Sequence, residues 1–516
     1  MATSLQQPLQ LCMFDMTRGQ QDGQELDKIL FFYPLECPLP LQLSVIGLSE
    51  GLITFSRIFS SDAPCEVMEA ERHSHIFYQC EPEIWMIMVV EKSKEAESSI
   101  RPRALQMVLK EVHGLFTMFY GSVRALLQNY PSEDVARSCL YAFFPDYISS
   151  EFMNGKKLKL PSVKESLTER GTVQSLSFDR HALLEAQSLV NLLKSWLGGG
   201  TIRHVLILYH NHLVSSSLPA GDTARLFVYA LLRMTPSVIA RSSAHSSSRL
   251  FSFKGYGSPA KTNAESMQNN NDESLNTPAS SRDTSPVGQR GKPQVPRPLL
   301  QDAWSRDPDG FLSTDAWGAG ARGGSAVIPS IWLQQSEERM QMVAYQHKAL
   351  TLLMLLPTNA SVGGVEGLSL LRQQLLEKAV QKIEKLELTL TREWGGTNSS
   401  HVPGYRYLYC DLNNKMSRSS PPAKVSTLSK DSLIALNSVR TEVDLEISRA
   451  ERNDNGAGRD LEFCVRAHNN SWVAVRARDG HELYLVLERA SDTLLLASEA
   501  VEKFNKRYCD GRFASD

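Results

Sequence analysis

The stretch VIGLSEGLITF runs from Val45 to Phe55. Its Gly47-Leu48-Ser49-Glu50-Gly51 matches G-x-S-x-G, the elbow that presents a nucleophilic serine in serine hydrolases, and so makes Ser49 a candidate nucleophile. With 31 Gly in 516 residues, roughly 0.2 such matches arise from composition alone. An elbow must also follow a central strand of a large sheet and lie near an oxyanion donor from an earlier loop. The sequence before Ser49 holds too little sheet for that. Helical periodicity fits better: Val45, Leu48, Leu52, Phe55 and Phe59 form an i, i+3, i+7, i+10, i+14 stripe, which predicts an amphipathic helix with this stripe inward and Ser49 pointing away from the core. Ile46, Glu50, Ile53 and Arg57 then form a mixed outward face. Gly47 and Gly51 sit one turn apart, with Ser44 and Thr54 close by, and two interior glycines cost about 2 kcal/mol of helix propensity. Close approach of another backbone to this small-residue face, from a sheet or a partner, offsets that cost. A docking helix is therefore favoured over a serine hydrolase using Ser49.

The chain is too long for one core, and its length predicts about three domains. Lys plus Arg is 55 and Asp plus Glu 57, a net charge of -2, which gives no general reason to expect nucleic acid or a strongly anionic surface as partner. The eight cysteines are scattered, without C-x-x-C or zinc spacing, and read as reduced thiols of a cytosolic protein. The N-terminus lacks signal-peptide character, and apolar runs such as IWMIMVV and LLMLLP are short of a membrane span, so a soluble protein is expected.

Alternation and β-branched content predict strands at Gln10 to Met16 and Lys28 to Tyr33, joined by a polar turn. The helix follows, then strand-like runs CEVMEAERH, HIFYQC and IWMIMVVEK, simplest as a meander. Helices at Ala104 to Leu127 and from Ser132 through Phe144 complete a ββαβββαα order. The C-terminal segment repeats much of that plan: strand YRYLYCDL, a helix from Ser429 to Val439, strands LEFCVRA, WVAVRAR and ELYLVLE, and a helix from Asp492 to Tyr508. Its turns, HNNS and RDGH, are good hairpin chemistry. The middle contains a helix at Asp179 to Trp196, the strand-rich IRHVLILYHNHLV, then LFVYALL, a run at ALTLLMLLP and a helix at Leu368 to Trp394, and reads as a degraded third copy. It is expected to be interrupted by a disordered insertion at about 236–325, rich in Ser, Asn, Pro and Gly. Within it, Gly255 to Thr262 falls one residue short of a Walker A loop, with Ala260 where glycine is required. Ser258, Thr277 and Ser285 precede proline and are candidate phosphosites.

Other constellations are weaker. His73 with His75, and His210 with His212, have strand spacing for two metal ligands but no evident third, so no metal is expected. Glu81 and Glu83 flank Pro82 and are expected in solvent. Lys156, Lys157 and Lys159 suit phosphate or a lipid headgroup, but a solvated linker face is the more frequent use of such a group. No catalytic constellation accumulates, and no cofactor is expected.

The combination QLCMFDMTRGQQDGQELDKILFFYP, LSVIGLSEGLITFSRIFS and HIFYQCEPEIWMIMVVEK resembles the first longin domain of the Ccz-one family of vacuolar fusion proteins, especially plant members. The likeness is specific over roughly residues 10–145 and looser beyond. It implies an α+β fold of three longin-type domains, each a five-stranded antiparallel sheet flanked by helices, at 1–152, 153–397 and 398–516. The resemblance further implies a heterodimer with a Mon-one protein, acting as guanine nucleotide exchange factor for a Rab-seven type GTPase. It implies a cytoplasmic protein recruited to phosphoinositide-bearing late endosomal or prevacuolar and vacuolar membranes. The joint platform is expected to use Ile46, Glu50, Ile53 and Arg57, with Lys28 and Phe32 on the edge strand. A longin adaptor or coat-type module without exchange activity is the alternative.

Overall fold

The computed structural model describes residues 9–59, 65–92, 101–129, 134–151, 153–154, 157–158, 169–175, 180–195, 201–240, 295–317, 328–358, 365–394, 405–420, 428–452, 460–487, 489 and 491–509. The first unit follows the expected order except that the helix expected at Ala104 to Leu127 is two, broken at Gly121 with φ 83°: β1 (Leu9–Asp15), β2 (Ile29–Tyr33), α1 (Leu39–Phe59), β3 (Val67–Glu69), β4 (His73–Glu81), β5 (Ile84–Glu91), α2 (Pro102–Tyr120), α3 (Val123–Asn129) and α4 (Asp134–Glu151). Its strands form an antiparallel sheet in the order β2-β1-β5-β4-β3. Every side chain of β1 is buried, because this strand is covered on both faces. Leu11, Met13, Met86 and Met88 face α2 and α4, whereas Cys12, Phe14, Trp85 and Ile87 face α1.

A connecting stretch then carries β6 (Met153–Asn154), β7 (Lys157–Leu158) and β8 (Val173–Gln174). The middle unit comprises α5 (Arg180–Ser195), β9 (His204–Tyr209), β10 (His212–Ser216), α6 (Ala220–Arg233), β11 (Trp304–Arg306), β12 (Phe311–Thr314), β13 (Ser330–Leu333), β14 (Glu338–His347), β15 (Leu350–Pro357), α7 (Val365–Lys378) and α8 (Val380–Trp394). The last comprises β16 (Arg406–Asp411), β17 (Met416–Ser419), α9 (Lys430–Arg452), β18 (Leu461–Arg466), β19 (Trp472–Arg478), β20 (His481–Leu487) and α10 (Leu494–Tyr508). The middle sheet runs β10-β9-β15-β14-β12-β11 with β13 also on β14, and the last runs β18-β19-β20-β16-β17-β8. Five successive strands in each sheet thus share one plan: an opening hairpin whose first strand pairs with the last strand of the following meander.

The first sheet has the expected five strands, whereas the middle and last sheets have seven and six. The extra strand of the last sheet is β8, which pairs in parallel with β17. Ser175, just beyond it, bridges to Leu213 of β10. Residues read from sequence as part of the middle unit therefore stitch the middle and last sheets together. LFVYALL lies within α6, and the long helix expected at Leu368 to Trp394 is two, α7 and α8.

The expected insertion is also too wide. Residues 295–317 return onto the core with Leu299, Trp304 and Phe311 almost fully buried. Tyr120 donates to the Pro296 carbonyl at 2.5 Å, Arg297 pairs with Asp146, and Arg233 binds the Leu299 carbonyl at 3.1 Å. Pro-rich composition hid apolar anchors that satisfy the fold at intervals. Ser258, Thr277, Ser285, the 255–262 stretch, Lys156 and Lys159 lie outside the described residues; Lys157 belongs to β7.

The first two units share one apolar core, with α2 inside it and buried around most of its circumference. Contact with the last unit adds Met416, packed against that core, and a polar network. Two guanidinium nitrogens of Arg101 donate to Asp444 on α9 at 2.6 and 3.0 Å, Arg103 reaches the same carboxylate, and Glu169 pairs with Arg101 and Arg440. Arg101, Glu169 and Arg440 are nearly inaccessible to solvent, so this network fixes how the units meet only because each charge has an opposite partner.

Glu81 and Glu83 also depart from the expectation of solvated carboxylates. Glu81 accepts the Val123 and Arg124 amides at 2.7 and 2.8 Å and faces His113 Nε2 at 3.3 Å. It anchors the start of α3. Burial opposes ionisation, but the His113 contact and the two amides outweigh it and hold this carboxyl below its usual range. Glu83 occupies the tight β4–β5 turn with φ 60° and pairs with Arg57.

Candidate functional site

Helix α1 is sparsely covered by the described residues. Only Gln42, Ile46, Ser49 and Ile53 are buried. They recur at i, i+4, i+7 and i+11, a second stripe with helical period. Ile46 and Ile53 are 1% and 0% exposed and lie against Phe14, Phe32, Trp85 and Ile87. The small Ser49 between them is also fully buried, and its hydroxyl donates to the Val45 carbonyl at 2.7 Å.

The expected orientation holds only for Val45 and Leu52, which are half-buried against the same cluster. Leu48, Phe55 and Phe59, predicted to face inward, are 53%, 61% and 75% exposed, and Ile58 is 74% exposed. Ile46, Ile53 and Phe32, predicted for a partner surface, are in the core and have no surface to offer. Both stripes have the helical period, and the more apolar one was read as inward; the sheet instead accepts the stripe containing Ser49, whose small side chain lets the helix lie close. Ser49 is also no elbow nucleophile: it sits inside a helix, sealed from solvent and bonded to backbone.

Ion pairs anchor both halves of α1. Lys28 at the head of β2 reaches both Glu50 oxygens at 2.8 and 3.0 Å. Arg57 forks onto both Glu83 oxygens at 3.2 Å and lies 5.6 Å over the Trp85 ring. Of the residues expected at an interface, Lys28, Glu50 and Arg57 thus sit at the flanks with their charges already matched within the unit.

On a helical projection, Ser44, Gly47, Leu48, Gly51, Phe55, Ile58 and Phe59 share the outward face. A Cβ at Gly47 or Gly51 would meet nothing within 4 Å, so none of the described residues makes the close approach expected of these glycines. The face has a shallow half, where the glycines bare the backbone, and a protruding half, where Phe55 and Phe59 meet edge to face at 4.9 Å. By length and composition α1 would also suffice to cross a membrane, contrary to the expectation from shorter runs. In the fold it lies flat on the first sheet.

Leu48, Phe55, Ile58 and Phe59 are the surface residues that sequence reasoning placed wrongly or passed over. The signal that finds them is the second stripe, since two competing apolar faces on one helix indicate two partners. Among the described residues no group of three or more His, Cys, Asp or Glu could hold a metal ion. His73 lies on β4 two residues from His75, and burial pushes the His75 imidazole below its usual range.

A family model described as the first longin domain of INTU, CCZ1 and HPS4 matches residues 9–121, which cover the first sheet, α1 and α2. The chain is 50% identical over 525 residues to the vacuolar fusion protein CCZ1 homolog A of Arabidopsis thaliana, with 98% of each chain covered. It is 48% identical over 507 residues to the CCZ1 homolog of Oryza sativa subsp. japonica, again with 98% of each covered. Identity is 23% over 517 residues to the CCZ1 homolog of Nematostella vectensis, over 98% of this chain and 97% of that one. With half its residues shared along nearly the whole length of its plant relatives, and a first unit that has the longin plan, this chain belongs to the CCZ1 family of vacuolar fusion proteins.

Proposed function

We propose that this chain is a subunit of a heterodimeric guanine nucleotide exchange factor that acts in vacuolar trafficking, pairs with a Mon-one protein and activates a Rab-seven type GTPase on late endosomal, prevacuolar and vacuolar membranes. The observation that carries the reading is the outward face of α1. Four large apolar side chains more than half exposed on one face of a helix, beside two glycines that nothing among the described residues covers, form the kind of surface that marks a protein interface. Lys28, Glu50 and Arg57 flank it and supply polar matching at its rim. The strand order common to all three sheets supports reading 153–397 and 398–516 as two further longin-type units.

An exchange factor requires no acid, base or nucleophile. It binds the nucleotide-free GTPase more tightly than the loaded one, and that difference is its leverage. A 10,000-fold faster release corresponds to about 5.5 kcal/mol of differential stabilisation. A rigid platform made from two longin sheets can supply this by holding a GTPase switch loop away from the phosphates and magnesium.

Co-expression with a Mon-one protein tests the pairing. The pair is expected to co-purify one to one, with hydrogen exchange across residues 44–59 slowed relative to the free chain. Unchanged exchange there in a stable pair contradicts this use of α1.

A further inference from the structure

A cavity of about 360 Å³ opens where the three units meet, walled by β4, α2, the 169–172 segment, α6 and the turn between β16 and β17. Five of its side chains are cationic: Arg103, Lys110, Arg170, Arg225 and Lys415. Its two carboxylates are already engaged. Glu111 accepts from Tyr147 and Arg170 at 2.9 and 3.4 Å, and Glu169 belongs to the network with Arg101 and Arg440. Arg103 and Arg225 are matched by Asp444 at 3.1 Å and Asp222 at 3.0 Å, both outside the lining.

Lys110 and Lys415 differ from the arginines. Neither has a carboxylate at ion-pair distance among the described residues. The Lys110 ammonium stands 5.9 Å from the centre of the Tyr78 ring. The Lys415 ammonium lies 3.7 Å from where a Cβ on Gly221 would be, beside the first turn of α6. That helix starts at Pro219 without a side-chain cap, and the carboxylate in its first turn, Asp222, is taken up by Arg225 and the Gln334 amide.

We propose that this cavity binds a small, multiply phosphorylated anion, of the chemistry shared by a soluble inositol polyphosphate and a phosphoinositide headgroup. Lysines present mobile point charges and arginines planar forks, a combination suited to several phosphates on one ring. The volume lies within the range of small-ligand pockets. Because the walls come from all three units, the bound anion stabilises their arrangement through mass action. This site is separate from the face of α1 and does not depend on its role.

Calorimetry and thermal melts on the full chain, purified with its co-expressed partner, test the proposal with inositol hexakisphosphate, inorganic phosphate, and phosphatidylcholine vesicles with or without phosphatidylinositol bisphosphate. The comparison is Lys110→Gln with Lys415→Gln; both lysines are exposed, so the unliganded melting temperature should not change. Saturable binding of inositol hexakisphosphate, far tighter than of phosphate, that raises the melting temperature and weakens at least about tenfold per lysine removed, supports a soluble ligand. Binding confined to phosphoinositide vesicles, with the same loss in the variant, supports the lipid source, and loss of both supports the shared chemistry. No saturable binding of either, or binding that the double variant retains, overturns the proposal.

Discussion

Substituting aspartate at Ile53 and at Phe55, two residues apart on α1, should give opposite outcomes. Ile53 is 0% exposed and packs in the cluster of Phe14, Phe32 and Trp85. Its removal alone costs about 2–5 kcal/mol through lost burial and a cavity, and a carboxylate with no partner there adds several more. That total rivals the roughly 5–15 kcal/mol that holds an ordinary domain together, so Ile53→Asp should unfold the first unit. Phe55 is 61% exposed, and its one ring contact among the described residues is Phe59, worth about 0.5–1.5 kcal/mol. Phe55→Asp should therefore leave the denaturation midpoint within about 1 kcal/mol of the parent. Burying the exposed part of a phenylalanine contributes about 2–3 kcal/mol, which predicts a roughly 30- to 150-fold weaker complex with the Mon-one partner. Chemical denaturation of each variant and titration against immobilised partner measure both effects. Unfolding by Phe55→Asp, or a dissociation constant unchanged by it, would refute the assignment of faces.

Three further outcomes follow from the same contacts. Gly47→Ala with Gly51→Ala should stabilise the free chain by about 1–2 kcal/mol, since nothing opposes the added methyl groups, while weakening partner binding; a destabilised monomer in thermal melts would show that the glycines are needed within the chain. Arg101→Met leaves Asp444 and Glu169 with one cation fewer in a buried network, and should lower stability by about 3 kcal/mol and increase proteolytic cleavage between units; a change under 1 kcal/mol would contradict the network's role. Glu81 has a depressed folded pKa, so its contribution is complete above the unfolded value and is lost as pH falls through the folded one. Glu81→Ala should therefore narrow its stability gap from the parent as pH falls below about 4; a gap independent of pH there would refute the linkage.

The first unit was legible because its strands combine alternation with clear breaks, and its helices carry caps or long apolar stripes. The last unit was legible for the same reason: Asp479 and Gly480 both have positive φ in the β19–β20 turn, as an Asp-Gly hairpin signal predicts. Short polar strands were not. β8 and β17 carry only Val-Gln and Met-Ser-Arg-Ser, and they exist because neighbouring edges offer backbone partners, which is tertiary information. The same holds for residues 295–317, where proline and polar residues separate anchors that find their pockets only after α2, α4 and α6 have packed. On α1, Ile46, Ser49 and Ile53 compete with Leu48, Phe55 and Phe59 for the core, and periodicity ranks faces by apolarity. The choice was made by shape, through the close fit that Ser49 permits against the sheet.

Release of a fluorescent guanine nucleotide from a Rab-seven type GTPase, followed with this chain alone, with the Mon-one partner alone, and with both co-purified, tests the central claim most directly. The account predicts acceleration by the pair, none by either chain alone, and loss of that acceleration with Phe55→Asp. A stable, folded, membrane-bound pair that leaves the release rate unchanged would contradict it and leave an adaptor built on the same longin fold.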